Sequence, residues 1–139
     1  MIILDTNVLS ALMQLRPERR VVEWLDMQPR TSIWVTAVSI FEVRFGLQTM
    51  PEGRRRSALM GLFDEILSAK IAKRIAPFDA GAVEQTARLM SIRKQSGRLG
   101  EFRDAMIGGI ALGSHAQLAT RNTKHFDDLA IQLINPWVD

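Results

Sequence analysis

Three carboxylates and one amide occupy positions in this sequence at which side chains can do chemistry. Asp5 directly follows a run of apolar residues that predicts a buried strand, and Asn122 follows a second such run. Glu42 lies inside a predicted helix, and Asp104 lies at the start of the most apolar predicted helix. Carboxylate and amide oxygens are ligands that suit Mg²⁺ or Mn²⁺. The sequence therefore contains the donors of an oxygen-ligated metal site, provided that the fold brings them together.

The composition makes oxygen the main ligand atom available. Of the 139 residues, 47% are hydrophobic and 24% are charged, the balance of an ordinary globular protein. The absence of cysteine excludes disulfides, thiolate nucleophiles and cysteine-ligated zinc. The only histidines are His115, which we place at a helix end, and His125, which we place in a loop without a metal-binding role.

Each candidate residue also has a purely structural interpretation. For Asp5, capping of the following helix is as consistent with the sequence as a role in a site. Asp104 taken alone favours a helix N-cap, because aspartate complements the helix dipole. Asn122 taken alone belongs to a polar turn. The order of these residues along the chain is therefore more informative than any one of them.

Glu42 is predicted to lie on the apolar face of its helix. Val38 and Phe45 share that face, whereas Arg44 points to roughly the opposite side. A buried carboxylate is costly unless a cation or hydrogen-bond donors meet it. Either a metal site or an internal ion pair with a nearby arginine would satisfy this requirement.

Arginine and lysine give the chain a formal net charge of +3 and a pI of about 9.9. We interpret their clusters as solvated helix faces, and Asp127-Asp128 as a solvated turn. The basic clusters are Arg54 to Arg56, then Lys70, Lys73 and Arg74, then Arg93, Lys94 and Arg98. The first cluster is also a candidate for contacts with a nucleic-acid backbone. The chain starts on strand-like residues and has no uncharged stretch that would span a bilayer, so we expect a cytoplasmic protein.

Strands and helices alternate along the chain. Strands are predicted at residues 2–5, 33–36, 117–120 and 131–134, with a short strand or an extended connector at 71–78. Helices are predicted at residues 6–15, 17–27, 38–48, 51–69, 79–95 and 104–114. This alternation predicts one α/β domain over residues 1–139, with a parallel sheet covered on both faces. In such sheets ligands bind beyond the carboxyl ends of the strands, where Asp5 and Asn122 fall.

Taken in order, these residues resemble the PIN-domain family, and within it the VapC-like and FitB-type toxins of type II toxin–antitoxin systems. The resemblance covers essentially the whole chain. It is carried by IILDTNVLS at 2–10, VSIFEVRFG at 38–46, DAMI at 104–107, ATRNTKHF at 119–126 and the closing NPW at 135–137.

The resemblance implies a three-layer α/β/α fold that is usually assembled as a homodimer. It implies a Mg²⁺- or Mn²⁺-dependent endoribonuclease that hydrolyses RNA phosphodiester bonds and is inhibited by a cognate antitoxin. Carried over by position, the metal-binding acids are Asp5, Glu42 and Asp104, the fourth acidic position holds Asn122, and Thr6 and Thr120 supply supporting polar contacts. The asparagine at position 122 lowers the negative charge of the site and weighs against a second tightly held metal.

A non-enzymatic function competes with this hypothesis. The chain would then sequester its antitoxin and contact DNA only through that partner, and its acids would receive an arginine of the partner. Haloacid-dehalogenase-like phosphatases also place an aspartate after the first strand, but they need a second carboxylate two residues later, where this chain has Asn7. Metal-dependent turnover distinguishes the ribonuclease from the binding module.

Overall fold

Five parallel strands form the centre of the computed structural model, which describes residues 1–139. The strands are β1 (Ile2–Leu4), β2 (Ile33–Thr36), β3 (Ile75–Ala76), β4 (Gln117–Ala119) and β5 (Leu133–Ile134). They lie in the order β3-β2-β1-β4-β5, and every neighbouring pair is parallel. Because β1 is central, the residues that follow β1, β2 and β4 meet at one edge of the sheet.

Six helices cover the sheet. They are α1 (Thr6–Leu12), α2 (Arg19–Asp26), α3 (Ala37–Thr49), α4 (Arg54–Glu65), α5 (Ala80–Gln95) and α6 (Phe102–Gly113). A π-helical segment, Ile66–Ile71, continues α4, and short 3-10 helices occur at Arg30–Ser32 and Thr123–His125. None of the helices has the length and apolar character needed to cross a membrane.

The central strand β1 divides its side chains between two hydrophobic cores. Ile2 and Leu4 enter one core and Ile3 enters the other, as the alternation of side chains along a strand requires. The first core takes buried side chains from α1 to α4, and the second takes them mainly from α5 and α6. These three layers confirm the predicted α/β/α fold with a parallel central sheet.

Helix α6 approaches α5 closely enough to require glycine. A β-carbon at Gly109 would lie 1.8 Å from Oγ1 of Thr86, and one at Gly108 would lie 2.8 Å from a methyl group of Leu129. The Thr86 hydroxyl donates to the carbonyl of Ala82 at 2.7 Å, which keeps it in this position. The close contact holds α6, and with it Asp104, against the rest of the second core.

The start of α6 differs from the prediction. The helix begins at Phe102, and the side chain of Glu101 accepts the capping hydrogen bond from the backbone N–H of Asp104 at 3.0 Å. The interpretation of Asp104 as the N-cap is therefore wrong. An aspartate complements the helix dipole in the first turn as well as at the cap, so the residue type of Asp104 does not distinguish the two positions.

Other boundaries shift by a few residues. α1 ends at Leu12, so Leu15 is exposed instead of forming its apolar end. α4 starts at Arg54, after the turn that begins with Pro51, and its last part is π-helical. α5 is capped by Asp79, as predicted, through a 2.9 Å hydrogen bond from the backbone N–H of Ala82.

Candidate active site

Asp5 is held at the carboxyl edge of the sheet by three hydrogen bonds. One carboxylate oxygen accepts from the backbone N–H of Thr6 at 2.8 Å, which makes Asp5 the N-cap of α1. The other oxygen accepts from the hydroxyl of Thr120 at 2.8 Å and from the amide of Asn7 at 3.3 Å. The two interpretations of Asp5 are therefore compatible, because the residue that caps the helix also lines a cleft at this edge.

The surroundings of Asp5 disfavour its negative charge. The residue is only 4% exposed, and burial raises its pKa from 3.8 to about 6, an effect that the hydrogen bonds from Thr120 and Thr6 only partly offset. Asp104 and Glu42 raise the pKa further, because their negative charges repel that of Asp5. A cation bound among these three acids would relieve the repulsion.

Glu42 projects from α3 and is half-buried. Its Oε1 accepts from the hydroxyl of Thr6 at 2.9 Å, and its Oε2 lies 3.8 Å from Nη1 of Arg103. Burial raises the pKa of Glu42, the contacts with Thr6 and Arg103 lower it, and the charge of Asp104 raises it. An arginine partner is thus present, as the second interpretation of Glu42 required.

The apolar face predicted for α3 is only partly correct. Val38 is buried, but Phe45 is 55% exposed, and the neighbouring Phe41 is exposed to a similar extent. Val43 and Leu47 are the residues of α3 that enter the first core. Apolar residues occur all around this helix, so their spacing does not indicate which side faces the core.

Asp104 lies in the first turn of α6 and contacts a histidine. Its Oδ2 accepts from Nδ1 of His125 at 2.8 Å. His125 belongs to the 3-10 helix that follows β4, and its side chain is 54% exposed. The sequence predicts a loop position without a metal-binding role for His125, and only the tertiary fold reveals its contact with a candidate site residue.

Asn122 is positioned by Thr120, the residue that directly follows β4. Its backbone N–H donates to the hydroxyl of Thr120 at 3.0 Å, and this hydroxyl in turn donates to Asp5. Thr6 similarly connects Glu42 to Ser39, whose hydroxyl lies 2.9 Å from its own. The two threonines therefore link the acids to the ends of two strands, which is the arrangement expected of supporting polar contacts.

These side chains border a single cleft of about 410 Å³. The candidates that line it are Asp5, Thr6, Glu42, Asp104 and Asn122, whereas Thr120 lies buried behind them. The atoms of this set that could ligate a metal are all carboxylate, hydroxyl or amide oxygens, so the chemistry of the set fits a hard divalent cation. No group of three or more acidic or histidine side chains is arranged closely enough to hold a metal ion. Metal binding therefore requires side-chain adjustment or ligation through water.

A model of the PIN domain matches residues 2–132. The chain belongs to the PIN-domain family. Curated relatives extend over the full length of the chain. It is 36% identical over 137 residues to "VapC ribonuclease Y4jK" of Sinorhizobium fredii, covering 99% of this chain and 98% of the relative. It is 31% identical over 139 residues to "Toxin FitB" of Neisseria gonorrhoeae, covering all of both chains.

Solved structures agree with the sequence relatives. FitAcB from Neisseria gonorrhoeae superposes with a TM-score of 0.90 at 30% identity, covering 100% of both chains. A structure of FitAB bound to an IR36 DNA fragment superposes with a TM-score of 0.89 at 31% identity, covering 99% of this chain and 96% of that chain. The PIN-domain architecture therefore extends over the entire chain.

An ion pair between a buried arginine and an aspartate at the surface, next to the cleft, was missed by the sequence interpretation. Arg93 is 3% exposed and donates to both carboxylate oxygens of Asp128 at 2.8 Å, and also to the carbonyl of His125 at 2.8 Å. Arg93 is therefore not part of a solvated helix face, whereas Asp127 and Asp128 do lie in an exposed turn, as predicted, and Asp128 is tied from there to Arg93. Their contact joins α5 to the segment that presents His125 to Asp104.

Proposed function

We propose that this PIN-domain protein is a Mg²⁺- or Mn²⁺-dependent endoribonuclease that acts as the toxin of a toxin–antitoxin pair in the cytoplasm. The observation that carries the proposal is that Asp5, Glu42 and Asp104, from three separate elements, line one cleft. Beyond the effect of burial, the charges of Asp104 and Glu42 raise the pKa of Asp5, and the charge of Asp104 raises the pKa of Glu42. Such coupling is characteristic of carboxylates assembled to hold a cation. The full-length similarity to a relative named VapC ribonuclease supports RNA as the substrate.

Asp5 and Asp104 are proposed as the principal metal ligands. Glu42 acts as a ligand through water or orients the attacking water, and Asn122 contributes a neutral oxygen at a position where some members carry an aspartate. A divalent cation, when bound, supplies activation of water and neutralisation of the charge that develops on the phosphate. Thr120 and Thr6 keep the carboxylates in place through their hydrogen bonds.

We propose an antitoxin as the protein partner, because similar chains occur in structures of FitAB. Contact with DNA would then be made through the antitoxin. A homodimer and a single domain over residues 1–139 remain our predictions. Arg54 and Arg55 line a groove that also contains Glu42, and they are the candidates for RNA-backbone contacts.

A catalytically silent, antitoxin-binding module is the second candidate function. It is favoured by the arginine that already lies beside Glu42 and by the absence of a ready-made set of three metal ligands. In this case the acids would serve mainly to receive basic side chains of a partner.

The decisive experiment measures cleavage of structured RNAs by the purified, partner-free protein with Mg²⁺, with Mn²⁺ and with a chelator. Asp104→Asn should abolish cleavage while circular dichroism shows an intact fold. Asp26→Asn, which changes an exposed aspartate outside the cleft, should cleave like the wild type. Absence of cleavage by the folded, metal-loaded wild type would favour the silent binding module instead.

A further inference from the structure

One cation and one aromatic ring stand out among the residues that line the cleft. Twelve residues border it, and four of them are acids: Asp5, Glu18, Glu42 and Asp104. Arg121 is the only basic residue of the lining, and Trp137 is its only aromatic residue. A polyanion that enters the cleft is therefore repelled by most of the charged wall and attracted at one point.

Arg121 and Trp137 contact each other. The guanidinium carbon of Arg121 lies 5.0 Å from the centroid of the Trp137 ring, a cation–π arrangement. Arg121 is exposed and forms no salt bridge. Arg103, beside the same cleft, differs because its side chain lies between Glu101 at 3.1 Å and Glu42 at 3.8 Å. The guanidinium of Arg121 thus has no acidic partner, whereas that of Arg103 is paired with two acids.

The backbone holds both side chains in defined places. The backbone N–H of Arg121 donates to the side-chain oxygen of Asn7 at 3.2 Å, which ties the segment after β4 to α1. Trp137 lies in a C-terminal turn, and its backbone N–H donates to Oδ1 of Asn135 at 3.0 Å. The turn is closed by Asp139, whose side chain accepts from the N–H of Asn135 at 2.7 Å.

We propose that Arg121 and Trp137 form a nucleotide-binding subsite for single-stranded RNA beside the carboxylates. The inference deepens the proposed ribonuclease function and depends on it. Arg121 contacts a phosphate next to the one that is cleaved, and Trp137 stacks on the base of that nucleotide. An exposed cation–π contact is weaker than a hydrogen-bonded guanidinium–phosphate contact, so the phosphate draws the guanidinium away and frees the ring face for a base.

The test measures equilibrium binding of a fluorescein-labelled, single-stranded RNA of mixed sequence. All proteins carry Asp104→Asn, which prevents cleavage, and are compared in the same Mg²⁺ buffer. Arg121→Gln should weaken binding and reduce the slope of log affinity against log salt by about 0.7, the value for one lost phosphate contact on a single strand. Arg88→Gln removes an exposed charge on α5 that does not line the cleft, and it should leave affinity and slope unchanged.

Trp137 is tested with a matched pair of variants. Trp137→Leu should weaken binding about 10-fold without changing the salt slope, and Trp137→Phe, which keeps an aromatic face, should recover most of the loss. Equal binding by Trp137→Leu and the reference, or by Arg121→Gln and the reference, would overturn the subsite while RNA cleavage by the wild type still supports the ribonuclease. If the reference protein binds no RNA, the subsite fails, whereas the ribonuclease proposal is decided separately by RNA cleavage with the wild type.

Discussion

Replacement of Asp5 by asparagine is expected to make the metal-free protein more stable at neutral pH, although it alters the proposed active site. Asp5 is 4% exposed, and its pKa rises from 3.8 to about 6 because of burial and of repulsion from Asp104 and Glu42. Since a pKa shift of one unit corresponds to about 1.36 kcal/mol, ionisation of Asp5 lowers the free energy of unfolding by about 3 kcal/mol above pH 6. Asparagine carries no charge and removes this cost.

The net gain in the free energy of unfolding should be smaller than the cost of ionised Asp5. The single oxygen of asparagine still accepts the capping hydrogen bond from the N–H of Thr6, but its NH2 group replaces the oxygen that accepted from Thr120 and Asn7. The Thr120 hydroxyl must then turn to accept instead of donate, a loss of about 1 kcal/mol. We therefore expect Asp5→Asn to raise the free energy of unfolding by about 2 kcal/mol. For a chain of this size the melting temperature would rise by roughly 6 °C.

The pH dependence gives the sign of the effect. The folded-state pKa of Asp5 lies above that of the unfolded chain, so the stability that neutral Asp5 provides is present below pH 3.8 and is lost as the pH rises through about 6. The difference between Asp5→Asn and the wild type should therefore be close to zero at about pH 4 and fully developed at about pH 8.

Urea unfolding followed by circular dichroism in EDTA measures this difference, with Asp26→Asn as the exposed-aspartate control. Added Mg²⁺ should narrow the gap, because a cation that binds only the folded wild type stabilises it by mass action. A variant that is less stable than the wild type at about pH 8, or a gain that is independent of pH, would refute the reasoning.

Two further predictions follow from individual contacts. His125→Ala should weaken Mn²⁺ binding, measured by titration calorimetry, by about 10-fold, because Asp104 loses the group that orients it. In the control variant His125→Asn, the amide nitrogen replaces Nδ1, and Mn²⁺ should bind nearly as it does to the wild type. Equal affinity of the alanine and asparagine variants would contradict this role. Gly109→Ala should lower the free energy of unfolding, measured in urea, by about 3 kcal/mol, because its β-carbon would lie 1.8 Å from Oγ1 of Thr86. A β-carbon at Gly61 would meet open space, so the control Gly61→Ala should raise the free energy of unfolding by up to about 1 kcal/mol. A small effect of Gly109→Ala would show that α5 and α6 separate easily.

Local patterns in the sequence predicted most of the architecture. The apolar run before Asp5, the alternation of strands with helices and the capping residue Asp79 depend on neighbours within a few positions, and the structure has each feature in its predicted place. The same locality led to two errors. Apolar residues all around α3 concealed which of its faces enters the core, and the preference of aspartate for helix N-caps favoured Asp104 over Glu101, the residue that caps α6.

The sequence by itself determined the α/β class, the parallel sheet and the presence of oxygen donors beyond its strands, because these follow from periodicity and residue type. The tertiary structure alone decided which distant side chains meet. The pairing of Arg93 with Asp128, of His125 with Asp104 and of Arg121 with Trp137 joins residues 16 to 35 positions apart. Such contacts depend on the packing of α5, α6 and the C-terminal turn around the sheet edge, and no local spacing encodes them.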